Sequence, residues 1–128
     1  MPENSAAPTG GPRPLGPYSP SVQARGALTF VSGQTPVDPA TGRLVDGDLA
    51  RQVEQAFANV AAVLASTGLA LERVVKVTVF LRSMDDFAAM NTAYERVFTP
   101  PYPARTAVAV AGLPLDARVE IEVVAAGG

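Results

Sequence analysis

The sequence predicts a two-layer α+β fold in which two helices pack on one face of a mixed β-sheet. Two segments carry helical periodicity, and each is followed by at least one segment of strand character. A first apolar strand precedes them, which gives the order strand, helix, strand, helix, strand, strand. In this order, the apolar stripes of the helices and one face of the sheet are buried when both helices pack as one layer on the sheet. With 128 residues, the chain is long enough for one domain of this kind and too short for two.

The chain is predicted to begin with a flexible N-terminal tail, residues 1–14, followed by a single domain, residues 15–128. Four prolines lie in the tail among small and polar residues. Such a composition cannot bury enough apolar surface to offset the entropy of ordering. Within the domain, the apolar and β-branched run from Ala27 to Gln34 predicts the first strand. A turn-rich connection rich in Pro, Asp and Gly follows it.

Two helices are predicted from their end signals and their apolar spacing. The first begins after Asp48 as N-cap and runs to about Thr67, with Gly68 as its stop. The second opens at Ser83, which together with Asp86 resembles a capping box. Apolar residues recur at helical spacing in the first helix, at Leu49, Val53, Phe57, Val60 and Leu64. The corresponding stripe of the second helix is Phe87, Met90, Tyr94 and Val97, and Pro100–Pro101 ends that helix.

Three further strands are predicted, at Val74 to Arg82, Thr106 to Ala111 and Arg118 to Ala125. Alternation along the first of these places two sets of side chains on opposite faces. One set is Val75, Val77, Val79 and Leu81, and the other is Lys76, Thr78, Phe80 and Arg82. The sheet face away from the helices would carry Thr78, Phe80, Glu120 and Glu122. That face is too apolar for water and too polar for a core, so oligomerisation is expected, with the number of subunits open.

Charge and composition limit the partners. The net charge is -2, with 10 basic against 12 acidic residues, and no basic run occurs. Phosphate neutralisation needs a basic patch, so this balance argues against a nucleic-acid partner. No apolar run approaches the roughly 20 residues that span a bilayer, so no membrane association is expected. No secretion signal is recognisable and there is no Cys, which together favour a cytoplasmic protein.

The chain has neither Cys nor His, which excludes thiolate nucleophiles, imidazole bases and most zinc sites. Lys76 is the only lysine, so a Schiff-base mechanism would have to use it or the amino terminus. Its position in mid-strand favours a structural or cleft-rim charge instead. A general base must therefore be a carboxylate, a tyrosine or a positioned water.

Arg105 and Glu120 are the candidate catalytic residues. Arg105 follows a proline-rich turn, and its guanidinium offers a planar fork that binds a carboxylate with two hydrogen bonds. Taken alone it would more often be an ordinary exposed arginine, since most arginines lie at the surface. Glu120 and Glu122 share one strand face, where a carboxylate could orient or deprotonate a water or simply be solvated. Sequence does not decide between the two glutamates.

Three weaker candidates lie elsewhere in the chain. Asn91 sits beside the apolar stripe of the second helix, where a buried amide either ties down a loop or faces a ligand. Ser32 and Gly33 end the first strand, and the glycine lets backbone amides approach a ligand closely. Tyr18 lies in a rigid turn from Gly16 to Pro20 that is either a linker or a cover over a pocket.

These residues together resemble the RidA (YjgF-type) family of reactive-intermediate imine deaminases, over about Leu15 to Ala125. Each motif is weak alone, and their order and spacing together are specific. The matching segments are Gly16–Ser19, Val31–Gln34, Pro39–Gly42, Gln52, Asn59, Gly68, Val74–Phe80, Asp86–Phe87, Asn91, Tyr94, Phe98, Pro103–Arg105, Leu113–Pro114 and Val119–Glu122.

The resemblance implies a chorismate-mutase-like fold assembled as a homotrimer with clefts between subunits. It implies hydrolysis of 2-imino acids, such as 2-iminopropanoate and 2-iminobutanoate, to 2-keto acids and ammonia without a cofactor. Arg105 would bind the substrate carboxylate, assisted by backbone amides near Gly33 and Ala107, and Glu120 would position or activate the attacking water. Tyr18, Ser32 and Asn91 would shape the cleft.

Two departures from the family pattern concern the cleft. Ala107 stands where many relatives have a cysteine, and residues 99–102 form a shorter loop, which bears on substrate size. Two rival functions remain: a ribonuclease or translation inhibitor, and a non-catalytic metabolite-binding or holdase protein. The acidic balance and the lack of histidine argue against the first, and turnover would separate deamination from the second.

Overall fold

The computed structural model of the chain describes residues 3–4 and 10–127. Half of the predicted tail, residues 1–2 and 5–9, therefore lies outside the described residues, and its flexibility stays a prediction. In the described part of the tail, β1 (Glu3–Asn4) pairs antiparallel with β2 (Val22–Gln23), which belongs to the domain. A second small pair joins β4 (Val37–Asp38) and β5 (Arg43–Leu44) in the connection that was predicted to be turn-rich.

The main sheet has four strands in the order β3–β8–β6–β7. They are β3 (Leu28–Gln34), β6 (Val74–Leu81), β7 (Ala104–Ala109) and β8 (Val119–Ala126). Only β6 and β7 run parallel, and the other neighbours are antiparallel. This confirms the predicted mixed sheet. The last strand of the chain lies inside the sheet, between the first and second long strands.

The two helices are α1 (Leu49–Ala65) and α2 (Phe87–Val97). At the start of α1, Arg51 N donates to Asp48 Oδ1 at 3.0 Å, which confirms the predicted N-cap. After its end, Gly68 has φ of 78°, a left-handed conformation that favours glycine. The helices share one hydrophobic core with alternate residues of the sheet, among them Val31, Val77, Val79, Val119 and Ile121. Both helices therefore cover the same sheet face, as predicted.

The predicted capping box of α2 is wrong. A 3₁₀ turn, Met84–Asp86, precedes the helix, and Ser83 Oγ accepts from Asp85 N at 3.1 Å. Asp86 N donates to Ser83 O at 3.2 Å, but the Asp86 carboxylate does not accept from the Ser83 amide. Its carboxylate instead accepts from Arg118 Nη2 at 2.8 Å, because a charge-assisted bond to a guanidinium is stronger than one to a neutral amide.

Several strand bounds also differ from the prediction, by one residue at Leu28 and Leu81 and by more in the third long strand. The third long strand begins at Ala104, two residues earlier than the expected Thr106, because Ala104 and Arg105 already pair with β6. It ends at Ala109, since the chain turns away before Ala111. The last strand is Val119–Ala126, shifted by one residue.

The sheet face opposite the helices is uncovered in the chain. Its largest exposed apolar side chain is Phe30, which is 72% exposed, and Leu28 and Val108 are also exposed. Lys76 lies on the same face and donates to Thr106 Oγ1 at 2.7 Å, in agreement with its interpretation as a structural charge. No helix in the described part of the chain is long and apolar enough to cross a bilayer.

Candidate functional site

Arg105 points towards the helix layer, not towards the uncovered sheet face. It is the second residue of β7 and lies opposite Val77 of β6, a core residue. Directly paired residues of neighbouring strands project on the same side of a sheet. Arg105 therefore reaches under α2, where its side chain is partly buried.

Neutral groups surround this guanidinium. Its Nη1 donates to Asn91 Oδ1 at 2.7 Å. The guanidinium carbon lies 5.0 Å from the ring centroid of Tyr94, 5.3 Å from that of Tyr18 and 5.9 Å from that of Phe87. Aromatic faces attract a cation through their quadrupole without neutralising it. We call these five residues the cation pocket.

The guanidinium charge of Arg105 has no acidic partner in the part of the chain that the structure describes. Among residues 10–127, no carboxylate forms an ion pair with it. Its Nε is buried and makes no hydrogen bond, although a guanidinium offers five donors. Burial lowers the pKa of Arg105, and the neighbouring Tyr94 and Tyr18 oppose that shift. A partly buried cation with spare donors and no counter-charge is a site for an anionic ligand.

A short strap holds Tyr18 against Arg105. Tyr18 Oη accepts from Leu15 N at 3.0 Å, and Ser19 N donates to Pro103 O at 3.0 Å, which ties the strap to the start of β7. The strap passes so close that a Cβ on Gly16 would lie 3.1 Å from Arg105 Nη2. Tyr18 therefore lies against the guanidinium of Arg105, and its role as a cover over a ligand site stays a prediction.

Glu120 lies on the other side of the sheet. It is a residue of β8 opposite Phe80 of β6, on the uncovered face. Its carboxylate rests over the backbone of β3, where a Cβ on Gly33 would lie 2.0 Å from Glu120 Oε2. Gly33 follows Ser32 at an irregularity in the β3–β8 register. We call Ser32, Gly33 and Glu120 the carboxylate patch.

Within one chain, the cation pocket and the carboxylate patch do not meet. Strand β6 separates their strands, and their side chains leave opposite faces of the sheet. From strand spacing and rise, the Cα atoms of Arg105 and Glu120 are roughly 14 Å apart. A shared hollow for the two groups therefore does not exist inside a single chain. Ala107 belongs to the pocket side, opposite the buried Val79.

Sequence reasoning named Arg105, Asn91 and Tyr18 but missed their neighbours. From the sequence, Phe87 and Tyr94 lie on the apolar stripe of α2 and among the family-like segments, without a role in the site, and in the structure they also flank the guanidinium. Asn91 lies four residues after Phe87, so a common helix face was the available signal. The missing information was which strand residue that face would meet.

A hollow of about 570 Å³ lies at the β4–β5 hairpin and the start of α1. Its lining contains none of the predicted site residues. In the described ranges, no group of three or more His, Cys, Asp or Glu side chains is arranged to hold a metal ion.

Comparison with known proteins gives consistent matches over nearly the whole chain. The family model described as Endoribonuclease L-PSP matches residues 9–127. A RutC family protein of Pyrococcus horikoshii is 46% identical over 114 residues, which cover 89% of this chain and 90% of that protein. A 2-iminobutanoate/2-iminopropanoate deaminase of Dermatophagoides farinae is 43% identical over 111 residues, covering 87% and 86%. The crystal structure of E. coli TdcF with bound serine is similar with a TM-score of 0.75 and 37% identity, covering 90% of this chain and 91% of that one.

Proposed function

The chain belongs to the Endoribonuclease L-PSP family, which is the YjgF/RidA family, and we propose that it hydrolyses 2-imino acids to 2-keto acids and ammonia. One observation carries the proposal: Arg105 is a partly buried cation with no acidic partner among the described residues. Relatives named 2-iminobutanoate/2-iminopropanoate deaminase support it. The substrate class is therefore small 2-imino acids, with 2-keto acids as products.

In this proposal, Arg105 binds the substrate carboxylate. A planar carboxylate matches the guanidinium fork, and the spare donors of Arg105 supply the hydrogen bonds. The aromatic rings of Tyr18, Phe87 and Tyr94 hold the fork in place while leaving its charge available. Ala107, two residues further along β7, contributes a backbone amide.

Glu120 orients the attacking water and accepts one of its protons. The water oxygen bonds to the imine carbon, the C=N electrons move to nitrogen, and a tetrahedral carbinolamine forms. Glu120 returns the first water proton to the carbinolamine nitrogen and then transfers the hydroxyl proton to the same nitrogen, so C=O re-forms as the C–N bond breaks and ammonia leaves. An imine is already electrophilic, so positioning and modest base assistance suffice, and the proposal includes no cofactor. Ser32 and Gly33 line the same side of the cleft.

The site must be completed by a second copy of the chain. Arg105 and Glu120 leave opposite sheet faces, so Glu120 of one copy has to meet Arg105 of another. The uncovered face that carries Glu120 is also the face with the exposed Phe30 and Leu28, and burying such a face between subunits is favourable. We therefore propose the homotrimer implied by the family resemblance, with three clefts between subunits.

The test supplies a serine or threonine dehydratase with its substrate and follows 2-keto acid release with and without the protein. We expect acceleration that Arg105→Ala reduces roughly 30-fold or more, because the substrate carboxylate loses its counter-charge. Arg43→Ala removes an arginine that is exposed and lies at the distant hairpin hollow, and it should leave the rate unchanged.

The same preparations separate the rival functions. Unchanged keto-acid kinetics together with RNA cleavage would support the ribonuclease hypothesis and contradict ours. Tight 2-keto acid binding without any acceleration would support a metabolite-binding protein. Prevention of aggregation of an unfolded client, again without acceleration, would support a holdase.

A further inference from the structure

We infer that Asn91 is the positioning residue of Arg105, and that its lack of charge is what keeps the guanidinium available for a ligand carboxylate. The inference rests on the proposed function of the site and assigns a role that differs from simply lining the cleft. Asn91 Oδ1 accepts from Arg105 Nη1 at 2.7 Å. The amide therefore contacts the binding group directly.

The Asn91 side chain is confined on two sides. Arg105 lies on one side, and the strap lies on the other, where a Cβ on Gly16 would be 3.4 Å from Asn91 Nδ2 and 3.5 Å from Asn91 Oδ1. The same Cβ would be 3.1 Å from Arg105 Nη2. The strap backbone thus packs against the amide and the guanidinium together, which fixes their relative orientation.

Two other arginines of the chain, Arg118 and Arg82, are paired with carboxylates instead of a neutral amide. Arg118 Nη2 bonds to Asp86 Oδ1 at 2.8 Å, and Arg82 Nη1 lies 3.1 Å from Asp116 Oδ1. In both pairs a carboxylate neutralises the guanidinium. At Arg105 the corresponding acceptor is a neutral amide, although a carboxylate of the same shape would form a stronger hydrogen bond.

The difference separates two explanations of Asn91. If Asn91 only anchors the arginine, aspartate should serve as well or better. If neutrality matters, aspartate should occupy the charge of Arg105 and exclude the ligand carboxylate. Deleting the side chain should then be less harmful than adding a negative charge, because Arg105 keeps its charge and loses only its orientation.

The experiment compares Asn91→Asp, Asn91→Ala and the unsubstituted protein by calorimetric titration with 2-oxobutanoate on the intact assembly. We expect affinity to fall about fivefold in Asn91→Ala through the lost hydrogen bond, and roughly 30-fold or more in Asn91→Asp through charge neutralisation. In turnover, Asn91→Asp should raise KM far more than it lowers kcat. Thr92→Asp adds the same charge at an exposed position of α2 and should leave affinity within about twofold.

Thermal unfolding shows whether a variant loses affinity because it has lost its folded structure. Asn91→Asp should melt at the same temperature as the unsubstituted protein or higher, since the new carboxylate would be paired. An Asn91→Asp variant that binds 2-oxobutanoate as tightly as Asn91→Ala overturns the inference, and so does an unsubstituted protein with no measurable affinity. If the predicted order of affinities holds but no imine hydrolysis occurs, the proposed function fails and the role of Asn91 stands.

Discussion

Two inactive variants should restore each other's activity if the site lies between subunits. The perturbation is co-expression of an Arg105→Ala chain and a Glu120→Ala chain with different affinity tags, followed by two purification steps that retain only mixed assemblies. The two lesions lie on opposite sheet faces, roughly 14 Å apart by strand spacing. Each chain thus keeps one intact half of the proposed site.

The size of the restoration follows from cyclic symmetry. In a ring, each cleft takes Arg105 from one chain and Glu120 from its neighbour. Every mixed trimer, whether it contains two copies of one variant or of the other, has one cleft in which both residues are intact. Activity should therefore be about one third of the unsubstituted value, whereas a two-fold dimer would give about one half.

The residual activity of each parent variant should be low enough for one third of full activity to be measured above it. Loss of the carboxylate partner costs roughly 30-fold or more, and loss of a general base costs roughly 100-fold or more. One third of full activity would then stand about tenfold above either parent. As a matched control, mixed assemblies of Arg105→Ala with Arg105→Gln carry both lesions on the same side and should stay at background.

Activity at the level of the parents in purified mixed trimers would refute the inter-subunit site. It would mean that Arg105 and Glu120 do not act in a common cleft. Light scattering on the same sample establishes that the assembly is a trimer and that both tags are present in it.

Two further substitutions test the carboxylate patch and the uncovered sheet face. Gly33→Ala places a Cβ 2.0 Å from Glu120 Oε2, so the carboxylate must move and kcat should fall about 10- to 100-fold. Gly112→Ala, which meets nothing within 4 Å, should leave kcat unchanged, and equal kcat in the two variants would contradict the role of Gly33. Phe30→Ser removes the side chain that is 72% exposed on the uncovered face and should shift the assembly towards monomers in sedimentation. Leu115→Ser, at a position 64% exposed outside the main sheet, should not, and an unchanged Phe30→Ser trimer would exclude that face from the interface.

The elements with local signals were predicted well. The helix α1 has an N-cap at Asp48, a left-handed glycine at Gly68 and an apolar stripe between them. From Lys76 onward, strand β6 alternates, with Lys76, Thr78 and Phe80 less buried than Val77, Val79 and Leu81. These signals depend on residues close in sequence, so the chain carries them without reference to its tertiary structure.

The sheet order could not be predicted in the same way. Periodicity indicates that a segment is a strand, but it does not say which strand lies beside it. The insertion of β8 between β3 and β6 depends on how the connections cross the helix layer. Register depends on the same information, which is why the start of β7 was placed too late.

In the candidate site, too, the residue types could be predicted from the sequence, whereas their neighbours in space could not. Residue types alone suggested a carboxylate-binding Arg105 and a water-activating Glu120, and the structure adds their surroundings. The sequence leaves open whether Asn91 ties down a loop or faces a ligand, because the partner of its amide depends on the neighbouring strand. Its partner turned out to be Arg105, 14 residues away.

The separation of Arg105 from Glu120 follows from alternation once the register is known. Arg105 pairs with Val77, and Glu120 pairs with Phe80, three residues further along the same strand. An odd separation on one strand places the two side chains on opposite faces. Since the helices cover only one of these faces, no change of rotamer brings the two groups together in one chain. Joint action of the guanidinium and the carboxylate on one substrate therefore requires a second subunit.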